Sequence, residues 1–460
     1  MKTYLVDRAN ARTVAITAVN KTTFENWQGR ADNAANAWAK ASGFTAKAGE
    51  FMLRPAADGT LAEVLLGIDG DEVALWDLAD LPGKLPAGRY KLGHKPTAKA
   101  ATAAALGWAL GCYRFTRYKS DSTPLKAELV WPMGADKGLT LAQAEGIALA
   151  RDLINTPAGD LGPSHLAAAA RKLAGQHKAT CKVITGDDLL KKNYPAVHAV
   201  GRAAADAPRL IDITWGKSTA PKVTLVGKGV CFDSGGLDIK PSGGMLLMKK
   251  DMGGAAQALA LAHMIMALNL PIRLRVLVPA VENAISGNAF RPLDVLDTRK
   301  GLTVEVGNTD AEGRLILCDA LAEADRDKPE LLFDFATLTG AARVALGTDL
   351  PALFCNDDRL ADDLTAAGTD CGDPMWRLPL WPGYKANLTS TVADLSSTGT
   401  GGFGGAITAA LFLEHFVSPE RPWVHIDLMA WNRASRPGRP EGGEAMTIRA
   451  IFALLQQRYH

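Results

Sequence analysis

Beyond about residue 138 this chain alternates short apolar runs with longer helical ones, and no other feature narrows its fold as far. RLIDITW, KVTLVG, RLRVLVPAV, LTVEV, LLFDFATL and WVHIDLM read as strands. LTLAQAEGIALARDLINTP, DMGGAAQALALAHMIMALN, AITAALFLEHF and the terminal AMTIRAIFALLQQRY read as helices. A strand, a helix and a further strand bring the chain back to the same end of a sheet, so the strands run parallel with helices on the faces. The expectation is an α/β fold: a mostly parallel sheet flanked by helices over residues 139–460, preceded by a smaller α/β N-terminal domain over residues 1–138. In that first part VAITAV, EVLLGI and EVALWDL are strand candidates and AATAAALGWALGCYRF is a helix candidate. The polar stretch KSDSTPLKAELVWPMGADKG, with Pro124 and Pro132, reads as the connection between the two.

Composition excludes several classes of function. With 51 basic against 49 acidic residues the net charge is only +2, so no global field holds nucleic acid or a membrane surface. The six cysteines lie far apart with no CxxC pair, as expected for free thiols in a reducing compartment. Asp7 interrupts the N-terminus before a signal-peptide core forms, and no run of about 18 apolar residues follows. A cytoplasmic protein without a membrane span is expected.

Several familiar strings fail on inspection. WGKSTA contains GKS, but Ile211 stands where a phosphate-cradling loop needs its first glycine. FDSGG and KPSGG lack the first glycine of a serine-nucleophile elbow, with Phe232 and Lys240 in its place. Gly399, Gly401 and Gly404 in SSTGTGGFGG do fit GxGxxG, which leaves a nicotinamide enzyme as one reading, although TSTVADLSS before them is a poor buried strand. The eight histidines form no HExxH, and His263 and His425 read as core or supporting residues.

Charge concentrates instead in three segments that the fold should bring to the strand ends. NTDAEGRL at 308–315 carries Asp310, Glu312 and Arg314; VTLVGKGVCFDSGGLDIKPSGG carries Lys228, Asp233 and Lys240; MKKDMGG carries Asp251 at the mouth of an apolar helix. Each has a plain reading: Asp310 and Asp251 as helix caps, Lys228 as a strand-end lysine with its charge in water. Together, four clustered carboxylates repel strongly without a counter-charge, and two divalent cations about 3.5 to 4 Å apart, sharing a hydroxide, would balance them.

These segments resemble the leucyl aminopeptidase family of dinuclear metallopeptidases, the cytosol aminopeptidases. NTDAEGRL matches that family's signature, and VGKGVCFDSGGLDIKPSGGMLLMKKDMGGAA, ATLTGAARVALG and WRLPLW match its patterns, so the resemblance covers about residues 145–417. It implies that Lys228, Asp233, Asp251 and Glu312 hold a tighter metal and that Asp233, Asp310 and Glu312 hold a more exchangeable one, zinc or manganese. Lysine ligates only as the neutral amine, so metal affinity should fall in acid. The resemblance further implies that Lys240 stabilises the oxyanion, and that Arg314 binds a bicarbonate ion acting as general base. Met248, Asn308, Thr337, Leu338, Thr339 and Gly340 would line the substrate pocket. The implied reaction is attack of a metal-bridging hydroxide on the first peptide bond of an unblocked peptide, by a homohexamer.

The sequence departs from the family at LMAWNRASRPGRPEGGEAM, a region that the resemblance implies helps wall the specificity pocket, so a leucine preference is not implied. The turn in DTRKGLTVEVGN also differs, and the first 138 residues show little family pattern. The alternative function is a regulator or nucleic-acid-binding protein on an aminopeptidase scaffold.

Overall fold

The computed structural model describes residues 1–120 and 123–459; residues 121 and 122, inside the polar stretch read as a connection, lie outside them. The chain forms two compact units, Met1–Ala148 with Ala434–Glu441, and Leu149–Arg433 with Gly442–His460.

The first unit holds a six-stranded sheet in the order Leu5–Val6, Ala127–Val130, Gly88–Leu92, Val14–Val19, Leu61–Gly67, Phe51–Pro55. Every pairing is parallel except that of the last two strands. The helix Ala98–Gly111 starts where Thr97 caps Ala100 N and carries glycines four residues apart on one face. A Cβ on Gly107 would lie 1.8 Å from Leu75 O, and one on Gly111 2.0 Å from Ala79 O. That close approach explains why EVALWDL, expected as a strand, is a turn. Asp77 Oδ2 accepts from Ala74 N at 2.7 Å, and Val73 and Leu78 are buried in this unit's core. Their apolar character serves packing rather than strand pairing.

The second unit is built on a nine-stranded sheet. Its order is Trp376–Arg377, Ala352–Cys355, Trp423–Asp427, Leu331–Ala336, Lys222–Gly227, Arg273–Asn283, Arg209–Trp215, Thr180–Thr185, with Gly229–Asp233 also pairing Arg273–Asn283. The four central strands are parallel, and antiparallel pairs appear only toward the edges. Leu331–Ala336 is buried at every residue, as a central parallel strand covered on both faces must be. LTVEV departs from expectation. Thr303–Glu305 joins no main-sheet strand; it pairs antiparallel with Val295–Asp297 and parallel with Leu395–Ser396 in a small separate sheet. The alternating pattern specifies a strand but not its partner, and Thr303 and Glu305 are only half-buried.

The helix Gly253–Ala267 packs on this sheet with all but its last residue buried, which requires small residues where it starts. A Cβ on Gly254 would fall 2.0 Å from Phe335 O and 2.8 Å from Lys228 N. The glycines of MKKDMGG therefore let the helix start directly against two strand ends.

Candidate metal centre

Strand ends and helix starts bring the charged segments together. Lys228 lies between Lys222–Gly227 and Gly229–Asp233, its backbone fixed by Lys228 N to Phe335 O at 2.9 Å and Ala255 N to Lys228 O at 2.8 Å. Asp233 closes the second of these strands, Asp251 follows the 3-10 turn Met248–Lys250, and Asp310 lies in the 3-10 turn Thr309–Ala311 just before the helix Glu312–Arg326. Neither Asp251 nor Asp310 is the N-cap of the α-helix that follows it. The cap positions are Met252 and Ala311, without side-chain cap bonds, so both carboxylates are turned to other partners.

Two lysines cross-link the four carboxylates. Lys228 Nζ lies 2.7 Å from Asp251 Oδ2 and 2.9 Å from Glu312 Oε1, while Lys240 Nζ lies 2.8 Å from Asp233 Oδ2 and also contacts Asp310. Oxygens of Asp233, Asp310 and Glu312 come within 4.8 Å of one another. Asp310 is the most exposed of the four carboxylates, with a third of its side chain open to solvent. Burial and the neighbouring Asp251 charge push Asp233 up to about 6, and burial with the Asp233 charge raises Glu312 well above the carboxylate range. Burial opposes charge at Lys228 and Asp251 too. There the ion pairs win, so the lysine is held above its ordinary value and Asp251 below its own.

Donor chemistry fits hard divalent cations, which take oxygen ligands. Glu312 Oε2 is buried and accepts no hydrogen bond, an orphaned charge-bearing atom inside the cluster. Arg314 is buried as well, donates from Nη1 to Ser397 O at 2.6 Å and leaves Nε unpaired; burial lowers it to about 10. A planar anion matches such a fork.

The expected pocket residues flank this cluster. Thr337 Oγ1 donates to Asp251 Oδ1 at 2.7 Å and its carbonyl accepts from Lys228 Nζ at 3.2 Å. Leu338, Thr339 and Gly340 continue the loop after Leu331–Ala336, with Thr339 capping the helix Gly340–Leu346. Met248 opens the turn before Asp251, and Asn308 Oδ1 accepts from Asp310 N at 2.7 Å. His425 and His263 lie away from these contacts, His425 bonded to Asp334 and His263 to His177.

Sequence reading missed the residues that hold the loops in register. Asn283 Nδ2 donates to Asp233 Oδ1 at 2.9 Å and to Thr309 O at 3.0 Å. Thr309 Oγ1 donates to Gly235 O at 2.6 Å, and Asp238 Oδ2 accepts from Thr309 N at 2.8 Å. Lys250 is a further surprise: it is buried without a hydrogen bond at Nζ, and burial lowers it to about 8. Asn283 ends an ordinary apolar strand, so only a contact map distinguishes it.

The comparisons with known proteins decide the family. The catalytic-domain profile of the Cytosol aminopeptidase family matches residues 148–452. The chain belongs to the cytosol aminopeptidase family. The N-terminal domain profile of the M17 aminopeptidases matches residues 14–132, a relationship that local sequence pattern did not reveal. A probable cytosol aminopeptidase of Syntrophotalea carbinolica is 41% identical over 379 residues, covering 79% of this chain and 76% of the relative. The crystal structure of a cytosol aminopeptidase from Coxiella burnetii matches with a TM-score of 0.94 and 48% identity, over 99% of this chain and all of that one. A bottromycin maturation enzyme solved in complex with Mn matches at 0.88 with 36% identity, over 98% of this chain and all of that one. This cytosol aminopeptidase homologue is thus a metal-dependent aminopeptidase, and the regulatory alternative finds no support among these relatives. The nicotinamide reading loses its basis too: only the two-residue strand Leu395–Ser396 precedes Gly399.

Proposed function

We propose that this aminopeptidase releases single N-terminal residues from unblocked peptides with two divalent cations, zinc or manganese, held by Lys228, Asp233, Asp251, Asp310 and Glu312. The observation that carries the reading is the convergence of four carboxylates and two lysines, with a buried carboxylate oxygen left unbonded. Manganese has the support of the manganese-bound relative. Lys228, Asp233, Asp251 and Glu312 form the tighter site, and Asp233, Asp310 and Glu312 the more exchangeable one, in keeping with the greater exposure of Asp310. Bound there, the cations supply Lewis-acid activation of water and of the scissile carbonyl, and bicarbonate supplies a base. Lys240, on a loop that reaches Asp233, brings an ammonium to the edge of the cluster and stabilises negative charge developing on the carbonyl oxygen. Arg314 holds the bicarbonate, with its unpaired Nε as the supporting feature. Met248, Asn308 and Thr337 to Gly340 line the pocket for the departing residue's side chain.

Assembly as a homohexamer and a cytoplasmic location belong to the same reading. The relatives' name supports the location, and no helix among the described residues is long and apolar enough to cross a membrane. The near-neutral charge argues against nucleic acid as a partner. In this reading the N-terminal domain spans residues 1–138 and the catalytic one 139–460, whereas the compact units place 139–148 and 434–441 with the first.

The test compares leucine anilide with its N-acetylated form, using chelated enzyme before and after manganese or zinc is restored. Only the free-amine substrate should be cleaved, and only with metal; cleavage of both, or activity indifferent to metal, overturns the proposal. Glu312→Ala should abolish turnover and metal retention together. Lys240→Ala and Arg314→Ala should keep the metals and lose about 100-fold to 1000-fold in rate.

A further inference from the structure

The loop Thr337 to Gly340 is tied down at both ends by different groups, and only one of the two belongs to the metal centre. Thr337 is bonded to Asp251 and Lys228. Leu338 N and Thr339 N instead donate to Asp427 Oδ1 at 3.0 and 3.2 Å, and Thr339 Oγ1 donates to Asp427 Oδ2 at 2.6 Å. Asp427 is 2% exposed and ends Trp423–Asp427, where it pairs with Ala336, the last residue of the neighbouring strand. As the chain leaves the sheet after Ala336, two backbone N–H groups lose their ladder partners, and the Asp427 carboxylate receives both. Thr339 Oγ1 in turn accepts from Ala342 N at 3.0 Å, so the same carboxylate also steadies the start of the next helix.

We propose that Asp427 is a positioning residue for substrate selection: it fixes Leu338 and Thr339 relative to Asp251, and so sets where the side chain of the departing residue rests when its carbonyl reaches the metals. The inference rests on the reading that this loop walls the substrate pocket. A rigid wall matters because misplacement by about 1 Å costs on the order of 100-fold in rate. Asp427 takes its hydrogen bonds from Leu338 and Thr339 and from none of the proposed metal ligands, so its removal should alter fit rather than metal content. Leu338 N donates to Asp427 Oδ1, and water admitted in place of that acceptor would loosen the wall.

The experiment measures kcat, KM and metal content of the full-length enzyme on anilides of alanine, leucine and phenylalanine. Asp427→Ala should retain both metals, raise KM for the large residues about 10-fold to 100-fold, and narrow the leucine-to-alanine ratio of kcat/KM. Asp427→Asn, which still accepts both N–H bonds at Oδ1, should restore most of that ratio. If Asp427→Ala fails to fold, Thr339→Val removes only the hydroxyl bonds and should shift the ratio in the same direction by less, with Thr339→Ser as its rescue. A ratio within twofold of wild type in the folded variants, or an equal loss on all three substrates with loss of metal, overturns the proposal. Leu338→Ala on the same panel separates the two readings. A shift there without one at Asp427 sinks only the positioning role, whereas no shift at either sinks the pocket assignment itself.

Discussion

At the scale of single residues, the spacing within NTDAEGRL has a steric reason. Gly313 separates Glu312 from Arg314 because the Lys228 stem crosses it: a Cβ there would lie 2.5 Å from Lys228 Cε and 2.7 Å from Nζ. The signature's glycine thus makes room for a lysine 85 residues away in sequence. Protonation follows from the same crowding. Asp233 is raised to about 6 and Glu312 lies above its usual range, so the cluster without cations favours a bound proton. A raised folded-state carboxylate contributes stability that is present below its unfolded value and lost as pH rises through the folded one. Chelated enzyme should therefore melt at a lower temperature as pH rises through about 6. Manganese should reverse that loss, and metal content in equilibrium dialysis should fall as pH drops through the same window, because protons compete for the ligands. A chelated enzyme whose melting ignores pH between 5 and 8 would contradict this account, the window being set by the raised Asp233.

Among elements, the decisive contact is the start of Gly253–Ala267 against the ends of Lys222–Gly227 and Leu331–Ala336. Ala255 N bonds Lys228 O, and Gly254 has no space for a side chain against Phe335 O and Lys228 N. Gly254→Ala must push the helix away or bend the strand ends. The expected cost is about 1 to 3 kcal/mol, read as a lower midpoint in urea. Because the displaced backbone carries Lys228, metal affinity should weaken alongside. An unchanged midpoint with normal metal content would show that the helix start is more yielding than its packing indicates. Ordinary helix propensity would have ranked alanine above glycine here, so tertiary contact overrides it.

For the whole molecule, the question is what covers the apolar side chains left in solvent. Leu246 is 79%, Val344 89% and Phe403 93% exposed in the single chain. Scattered apolar residues are normal on a surface, but side chains this large and this open are the kind that subunit contacts bury. The proposed hexamer predicts a mass by light scattering of about six times the 48.7 kDa chain. Phe403→Asp combined with Val344→Asp should reduce it if those residues lie in the contacts. A monomeric wild-type enzyme with full activity would refute the assembly.

Much was legible in the sequence because it is local. The order of strands and helices follows from periodicity, so the parallel sheet was accessible, and so were the charged segments that chemistry must explain. Family likeness supplied the roles proposed for Lys228, Asp233, Asp251, Asp310, Glu312, Lys240 and Arg314, which spacing alone does not assign. Partnership was not legible, because it is decided by surfaces distant in sequence. LTVEV has the right alternation yet pairs outside the main sheet, and EVALWDL has strand-like composition yet turns beneath a glycine-faced helix. Asn283 and Asp427 carry no motif of their own; their importance comes from the backbone groups that the fold delivers to them. Periodicity and charge are properties of a segment, whereas hydrogen-bond satisfaction and steric room are properties of a place, and a place exists only once the chain has folded.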